Sequence, residues 1–337
     1  MSTLMQTHLG IADAMKLQDR AGGVLNVIEV LNQAQEVTKD IPWMECNEGA
    51  RHIHAVRSGL TDIQWGSYYQ GIAKSKADVQ QVTDVTGFCE ASSGVDVRLL
   101  KRNKNPNELR NSQAKAHIER MGQEAATALF YHDPATNPLL PKGLGPRYGA
   151  LATSGAGHQI IDGGGTGSDN CSVWFVTWGE NSVFGLYPEG TTGGLMREDK
   201  GEQRVLDASG NHYFEKEEDF RWDMGFAVAD YRNVVRIANI DVSELAAGNV
   251  DLYALLRKGY YRLNSRRVGK IDQMVMPGRT VIYCNTEVKE AMDALDTGDS
   301  NRRLMNTMDV QGEEVDTYRK MPVRETDALI LTETRVV

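Results

Sequence analysis

The stretch NPNELRNSQAKAHIERMGQEAATALFY, residues 105–131, decides how the rest of the chain is read. Asn105 suits an N-cap, because its side-chain oxygen can accept from a free backbone N–H of the first turn. Pro106 follows where its missing N–H costs nothing, and Glu108, three residues past the cap, completes a capping-box-like start. Leu109, Gln113, Ala116, Met121, Ala125 and Leu129 then fall near one face, joined by Ile118 and Phe130, with no proline before Pro134. A helix over 105–131 is a rod of roughly 38 Å at about 1.5 Å per residue. Taken alone, it is the amphipathic helix of an ordinary globular α/β protein.

Composition sets the bounds. At 337 residues, 41% apolar and 25% charged, the chain can bury a sizeable core and hold roughly two or three domains. Its net charge of −9 excludes a free nucleic-acid binder driven by phosphate neutralisation over the whole surface, so any contact with DNA is local. The opening MSTLMQTHLG has no basic run followed by an apolar one, and a secretory signal is not expected. No segment approaches the roughly 20 apolar residues of a membrane span, so no membrane partner is expected. Cys46, Cys89, Cys171 and Cys284 are scattered without a CxxC spacing, which argues against zinc and redox motifs and for free thiols.

Around the helix the chain changes character repeatedly. Asp13–Leu17 reads as a turn of helix and Val24–Val37 as a short amphipathic helix, stable only against something else. Trp43, after Ile41 and Pro42, is a candidate anchor. ARHIHAVRSGL and GIAKSKADVQQVTDVTGFCEAS then alternate like strands around TDIQWGSYYQ, with too few apolar residues to close a core. That pattern suits a long two-stranded excursion resting on a partner, since an isolated hairpin is marginal in water. His52 and His54 share a strand face, but no carboxylate or cysteine nearby in sequence completes a metal site.

Residues 96–120 hold seven basic residues against three acidic ones (Asp96, Glu108, Glu119), a reversal of the overall charge. Arg98, Lys101, Arg102, Arg110, Lys115 and Arg120 are therefore candidates either for a solvated face or for a surface turned to DNA. The glycine run in IIDGGGTGSDN (160–170) invites a phosphate-loop reading, yet it lacks a Gly-Lys-Ser/Thr ending and leads into the strand-like CSVWFVTWG. NSVFGLYP reads as the neighbouring strand. Ser209-Gly210-Asn211 marks a hairpin between alternating runs, and its Glu215, Glu217, Glu218 and Asp219 are expected to face water or a neighbouring subunit. GFAVADYRNVVRIANIDV is expected to continue as strand, 251–263 as a helix with a basic tail, and 279–285 as a buried strand. A helix at 286–296 capped by Thr286 follows, then a strand, a proline-marked turn and a closing strand. No Gly-x-Ser-x-Gly elbow, His-Glu-x-x-His or Rossmann fingerprint appears, so neither an enzyme nor a cofactor is expected.

Several stretches resemble the major capsid proteins of tailed bacteriophages, in particular those of short-tailed (podovirus) phages similar to epsilon15 and the Bordetella phage BPP-1. They are DIPWMECNEG (40–49), RSGLTDIQW (57–65), AHIERMGQEAATALFY (116–131), the block 160–190, YRNVVRIANIDVS (231–243) and YRKMPVRETDALILTETRV (318–336). They run in the family's order from residue 40 onward. The resemblance implies an α+β, HK97-like capsid fold. Its parts would be an N-terminal arm (1–48), an E-loop hairpin (49–92), and a peripheral domain (93–150) with a spine helix at 105–131. An axial domain follows in two pieces (151–195 and 240–312), separated by a peripheral hairpin and return (196–239), with C-terminal strands (313–337) rejoining the peripheral sheet. The resemblance implies a virion coat subunit that assembles in the bacterial host cytoplasm into hexamers and pentamers of an icosahedral shell around double-stranded DNA. It also implies a separate scaffolding protein, because the chain is too short for the scaffolding extension of some relatives, together with portal and decoration or cement proteins. The alternative within the same fold is an encapsulin-like nanocompartment shell.

Overall fold

The computed structural model describes residues 36–207, 209–267, 278–297, 304–308 and 314–337. The turn expected at Asp13–Leu17 lies outside them, as does the helix expected at Val24–Val37 except for its last two positions. The first described elements are α1 (Glu36–Asp40), β1 (Trp43–Glu45), β2 (Arg51–Arg57), β3 (Val79–Val85) and β4 (Gly87–Asp96). Next come α2 (Val97–Arg102), α3 (Pro106–Tyr131), β5 (Ile160–Asp162), β6 (Asn170–Trp178) and β7 (Val183–Tyr187). β8 (Leu195–Leu206), β9 (His212–Val228), β10 (Val234–Asp241), α4 (Val242–Ala246) and α5 (Leu252–Arg262) follow. The last are β11 (Arg279–Cys284), α6 (Thr286–Thr297), β12 (Leu304–Met308), β13 (Glu314–Tyr318) and β14 (Met321–Glu325). They form two compact units, one holding Phe88–Ala126 and Gly194–Asp223, the other Gln35–Gly87, Thr127–Gly193 and Met224–Val337.

The larger unit is organised on β6, whose nine residues are all buried. A continuous apolar run of this kind needs cover on both faces, and it has it. β10 lies antiparallel on one side of β6 and β11 antiparallel on the other. β5 extends the sheet beyond β10, and β14, β13 and β12 extend it beyond β11. Cys171, Val173 and Phe175 join one core cluster with Leu252 and Leu256 of α5 and Val288 and Met292 of α6. On alternate positions Trp174 meets Phe130 at 6.0 Å and Tyr148 at 6.0 Å between ring centroids. Side-chain alternation along the strand thus sorts one run into two cores.

On the same unit β1 runs parallel to β7 with Trp43 opposite Gly185. A Cβ at Gly185 would sit 2.6 Å from Trp43 Cε3, so only glycine leaves room for the indole. Trp43 also meets Phe226 at 6.4 Å. It is the anchor its position suggested. β2 and β3 form a separate antiparallel ladder from Arg51↔Val85 to Arg57↔Val79.

The smaller unit carries the long helix as far as Ala126, with the β8–β9 hairpin paired from Leu195↔Trp222 to Leu206↔His212. Gly201, at φ 75°, sits at a bulge, and the hairpin loop is held by Asp207 Oδ1, which accepts from the N–H groups of Ser209 and Asn211. The helix runs Pro106–Tyr131, close to the expected bounds, and Leu109, Met121, Ala125, Leu129 and Phe130 of the expected face are buried. Ala116 and Ile118 depart from it, both exposed, while Ala114 is buried. His117 belongs to that face, its ring stacked on Phe220 at 5.6 Å. An imidazole standing where an aliphatic was sought shifted the apparent stripe.

Three further expectations are corrected. The run 225–242 is not one strand: Asp230 accepts from the Arg232 N–H and breaks it between β9 and β10. The cap of α6 is Asn285, whose Oδ1 accepts from Glu287 N–H, while the Thr286 hydroxyl donates to Glu325 at 2.5 Å. The turn near the C-terminus falls on Arg319 and Lys320, both at positive φ (52° and 68°), and Pro322 lies inside β14 instead of marking it. β13 and β14, on either side of that turn, are the strand and closing strand expected there, β14 ending at Glu325.

Candidate assembly surfaces

The β2–β3 ladder ends in an apolar tip. Leu60, Ile63, Trp65, Tyr68, Tyr69 and Ile72 are all exposed, Trp65 completely (100%). Residues 60–76 contain no buried or half-buried position. Their few internal ties are polar: Ser75 Oγ donates to Asp62 O at 3.1 Å and Ala73 N–H to Gln64 Oε1 at 3.4 Å. Soluble monomers rarely expose a contiguous apolar patch beyond a few hundred Å², and a larger one marks a contact surface.

At the root of the same ladder, His52 and His54 lie with ring centroids 6.1 Å apart, and His52 sets its edge on Phe184 at 5.4 Å. Burial, then the neighbouring His54, pushes the His52 pKa down, with Asp84 opposing. Asp84 is directly across from His52 but is taken by Arg147 at 2.6 Å, which also donates to Phe226 O at 2.9 Å. Among the described residues no three His, Cys, Asp or Glu side chains gather as a metal site.

The basic run divides into two kinds of residue. Lys101, Arg102 and Lys115 are exposed. Arg98 is exposed and held by Asp96 at 2.9 Å, and Arg120 by Glu124 at 3.2 Å. Burial opposes ionisation at Asp96, but the hydrogen bonds from Arg98 outweigh it and hold the carboxyl below its ordinary range. Arg110 is different. Its side chain, only 11% exposed, contacts Asp199 at 2.9 Å and pairs with Glu218. The hydrogen bond from Arg110 lowers the Asp199 pKa. Glu218 is itself buried and takes a second cation, Arg197, at 2.7 Å. The expectation that Glu218 faces water or another subunit is thus corrected: one β-strand carboxylate serves two arginines of its own unit. Glu215 is buried as well.

The glycine run is committed to the fold. Gly163 N–H donates to Ala238 O at 2.8 Å, Gly164 N–H to Asp162 Oδ1 at 3.0 Å and Gly165 N–H to Asn239 O at 2.8 Å. No N–H of these three is left to cradle a phosphate. Close approach explains the residue type: a Cβ at Gly165 would lie 2.7 Å from Asn239 O and drive into Asn170 Oδ1. Gly165→Ala is expected to destabilise the protein by about 1–3 kcal/mol, as overpacking does, in chemical denaturation. Tight nucleotide binding lost in that variant would restore the phosphate reading.

The family model described as "Major capsid protein GP7" matches residues 19–337. No curated protein sequence matches the chain. Among solved structures, bacteriophage Epsilon15 is 24% identical with a TM-score of 0.79, covering 100% of this chain and 99% of that one. The bacteriophage JBD30 capsid is 10% identical (TM-score 0.48; 97% and 99% covered). The holo-SrpI encapsulin of Synechococcus elongatus is 12% identical (TM-score 0.44; 69% and 96% covered). The likeness to Epsilon15 shows the fold, which is α+β and HK97-like. With a family match over most of its length, the chain belongs to the major capsid protein GP7 family: it is a structural protein of the phage virion that assembles into a shell, not an enzyme.

Proposed function

We propose that this coat subunit closes into hexamers and pentamers of an icosahedral shell around double-stranded DNA, and that the β2–β3 hairpin is the clasp between neighbours. The observation that carries this is the exposed apolar tip, which is costly in water and useful only when covered. In this reading residues 1–48 are the arm, 49–92 the E-loop, 93–150, 196–239 and 313–337 the peripheral domain, and 151–195 with 240–312 the axial domain. Assembly takes place in the bacterial host cytoplasm with a separate scaffolding protein, and a portal and cement proteins complete the particle. Arg98, Lys101, Arg102, Lys115 and Arg120 attract phosphate without reading sequence. Arg110 drops out of that set, because Asp199 and Glu218 already neutralise it.

The test is to reconstitute or purify particles and measure nuclease-protected DNA per shell. Wild type is expected to give closed shells with protected DNA. Lys101→Glu, Arg102→Glu and Lys115→Glu combined are expected to give shells of the same size with DNA retention at least several-fold lower and more sensitive to salt. Only monomer- or dimer-sized species under every assembly condition contradicts the function. Unchanged DNA content in the triple variant contradicts the DNA-facing assignment.

A further inference from the structure

We infer that the larger unit makes a head-to-tail contact with a second copy of this chain, in which a cationic, aromatic patch at the end of α5 meets the acidic face of α6 on the next subunit. This rests on the shell reading above and specifies one of its contacts.

The patch is built around two tyrosines. Tyr260 and Tyr261 stand edge to face with centroids 5.3 Å apart. The Arg266 guanidinium lies over these rings at 5.3 and 4.7 Å, and that of Arg319 over the same two at 4.8 and 5.4 Å. Rings attract each cation, but two like charges sharing one pair of rings repel each other. Neither arginine has an ion-pair partner among the described residues, and Arg266 Nε is buried without a hydrogen-bond acceptor. Arg319 and Lys320 also occupy left-handed backbone that favours glycine, yet both residues there are cations and both are exposed. Arg257, Lys258 and Arg267 are exposed beside them in sequence. The cluster has the charge of a surface that awaits an anion.

The same unit supplies that anion elsewhere. Glu287 and Glu290 are exposed three residues apart on α6. Lys289, on the same helix, is turned to Asp316 at 3.8 Å and Glu325 at 3.6 Å. Among the described residues no ion pair joins Glu287 or Glu290 to Arg266, Arg319 or Lys320 within one chain. A body carrying opposite charges on separate patches satisfies both by contacting copies of itself in sequence, and that heterologous contact closes into a ring when its rotation permits. The two helices neighbour each other, Tyr253 Oη of α5 donating to Met292 O of α6 at 3.0 Å. That contact lies at the start of α5 and the cations at its end, so the two signs stand on separate patches of one body. A second subunit presents both signs, and like-charge juxtaposition suppresses wrong registers.

Charge reversal tests this. Lys258→Glu with Arg267→Glu, and separately Glu287→Lys with Glu290→Lys, are each expected to lower the assembled fraction at least tenfold at low salt. Thermal melting of the subunit should stay unchanged in both. All four changes in one chain restore complementarity and are expected to recover assembly. Single-patch variants that assemble like wild type overturn the contact, as does a four-residue variant that folds but is not rescued. Shells that form normally from the basic-patch variant but lose DNA overturn it in favour of a nucleic-acid surface. If wild type itself forms no shells while melting normally, the shell reading fails instead, which separates the two outcomes.

Discussion

Replacing Trp65, Tyr68 and Tyr69 together by serine is expected to leave the subunit folded and to abolish shell formation. All three side chains are fully or nearly fully exposed, so the isolated subunit gives up no buried contact when they are trimmed. In a shell each would be covered, and burying a large apolar side chain stabilises by about 1.5–3 kcal/mol. Three per hairpin amount to roughly 5–9 kcal/mol before ordering costs, several powers of ten in each association step at about 1.4 kcal/mol per tenfold. Every subunit repeats the loss. Circular dichroism should show an unchanged melting curve and sedimentation velocity the absence of fast-moving particles. Normal yields of shells from the triple variant would mean the tip is not the clasp.

The second large effect is on folding. Glu333 is buried and accepts from Arg236 at 2.8 Å, from Tyr131 Oη at 2.5 Å and from the Ser172 hydroxyl. Arg236 in turn donates to Tyr148 O at 2.9 Å and lies over the Trp174 ring at 5.0 Å. Burial, reinforced by the Glu333 charge, pushes the Tyr131 hydroxyl pKa far up, so it stays a donor. Three distant parts of the sequence converge here: the end of the long helix, the central strands and the C-terminal segment. That segment is held further by Asn239, which accepts from Val336 N–H and donates to Val336 O, both at 2.8 Å. Glu333→Ala leaves a buried guanidinium without its counter-ion, and removing one partner of such a pair costs about 3–5 kcal/mol. Arg236→Ala should cost a similar amount, and the double variant less than the sum of the two. Urea denaturation of the subunit measures this. A loss below about 1 kcal/mol, the scale of a surface pair, would show that the network is dispensable.

What was legible in the sequence is what local chemistry decides. The start of the long helix, the unbroken run 170–178, the β8–β9 hairpin turn and the two-stranded excursion at 50–85 each follow from residue types at neighbouring positions, whereas the excursion's exposed apolar tip was not among the features they announced. Misreadings share a different origin. Arg110 and Glu218 looked like surface charges because nothing within a few residues shows that a helix and a strand bring them together. His117 counts as polar in any pattern, although its ring packs as an apolar one against Phe220. Arg319 and Lys320 occupy a turn that glycine or asparagine would have announced, and stacking of Arg319 on Tyr260, Tyr261 and Tyr318 holds them there. The glycines at 163–165 fail as a phosphate loop already in the sequence, but the close approach of two backbones that they serve is not announced there. In each case the deciding partner is far away in the chain.

A cryo-EM map of the assembled particle tests the central claim most directly, through the position of residues 60–72. Trp65, Tyr68 and Tyr69 are expected to be buried against a neighbouring subunit. Finding them still open to solvent, or folded onto their own subunit, would contradict it.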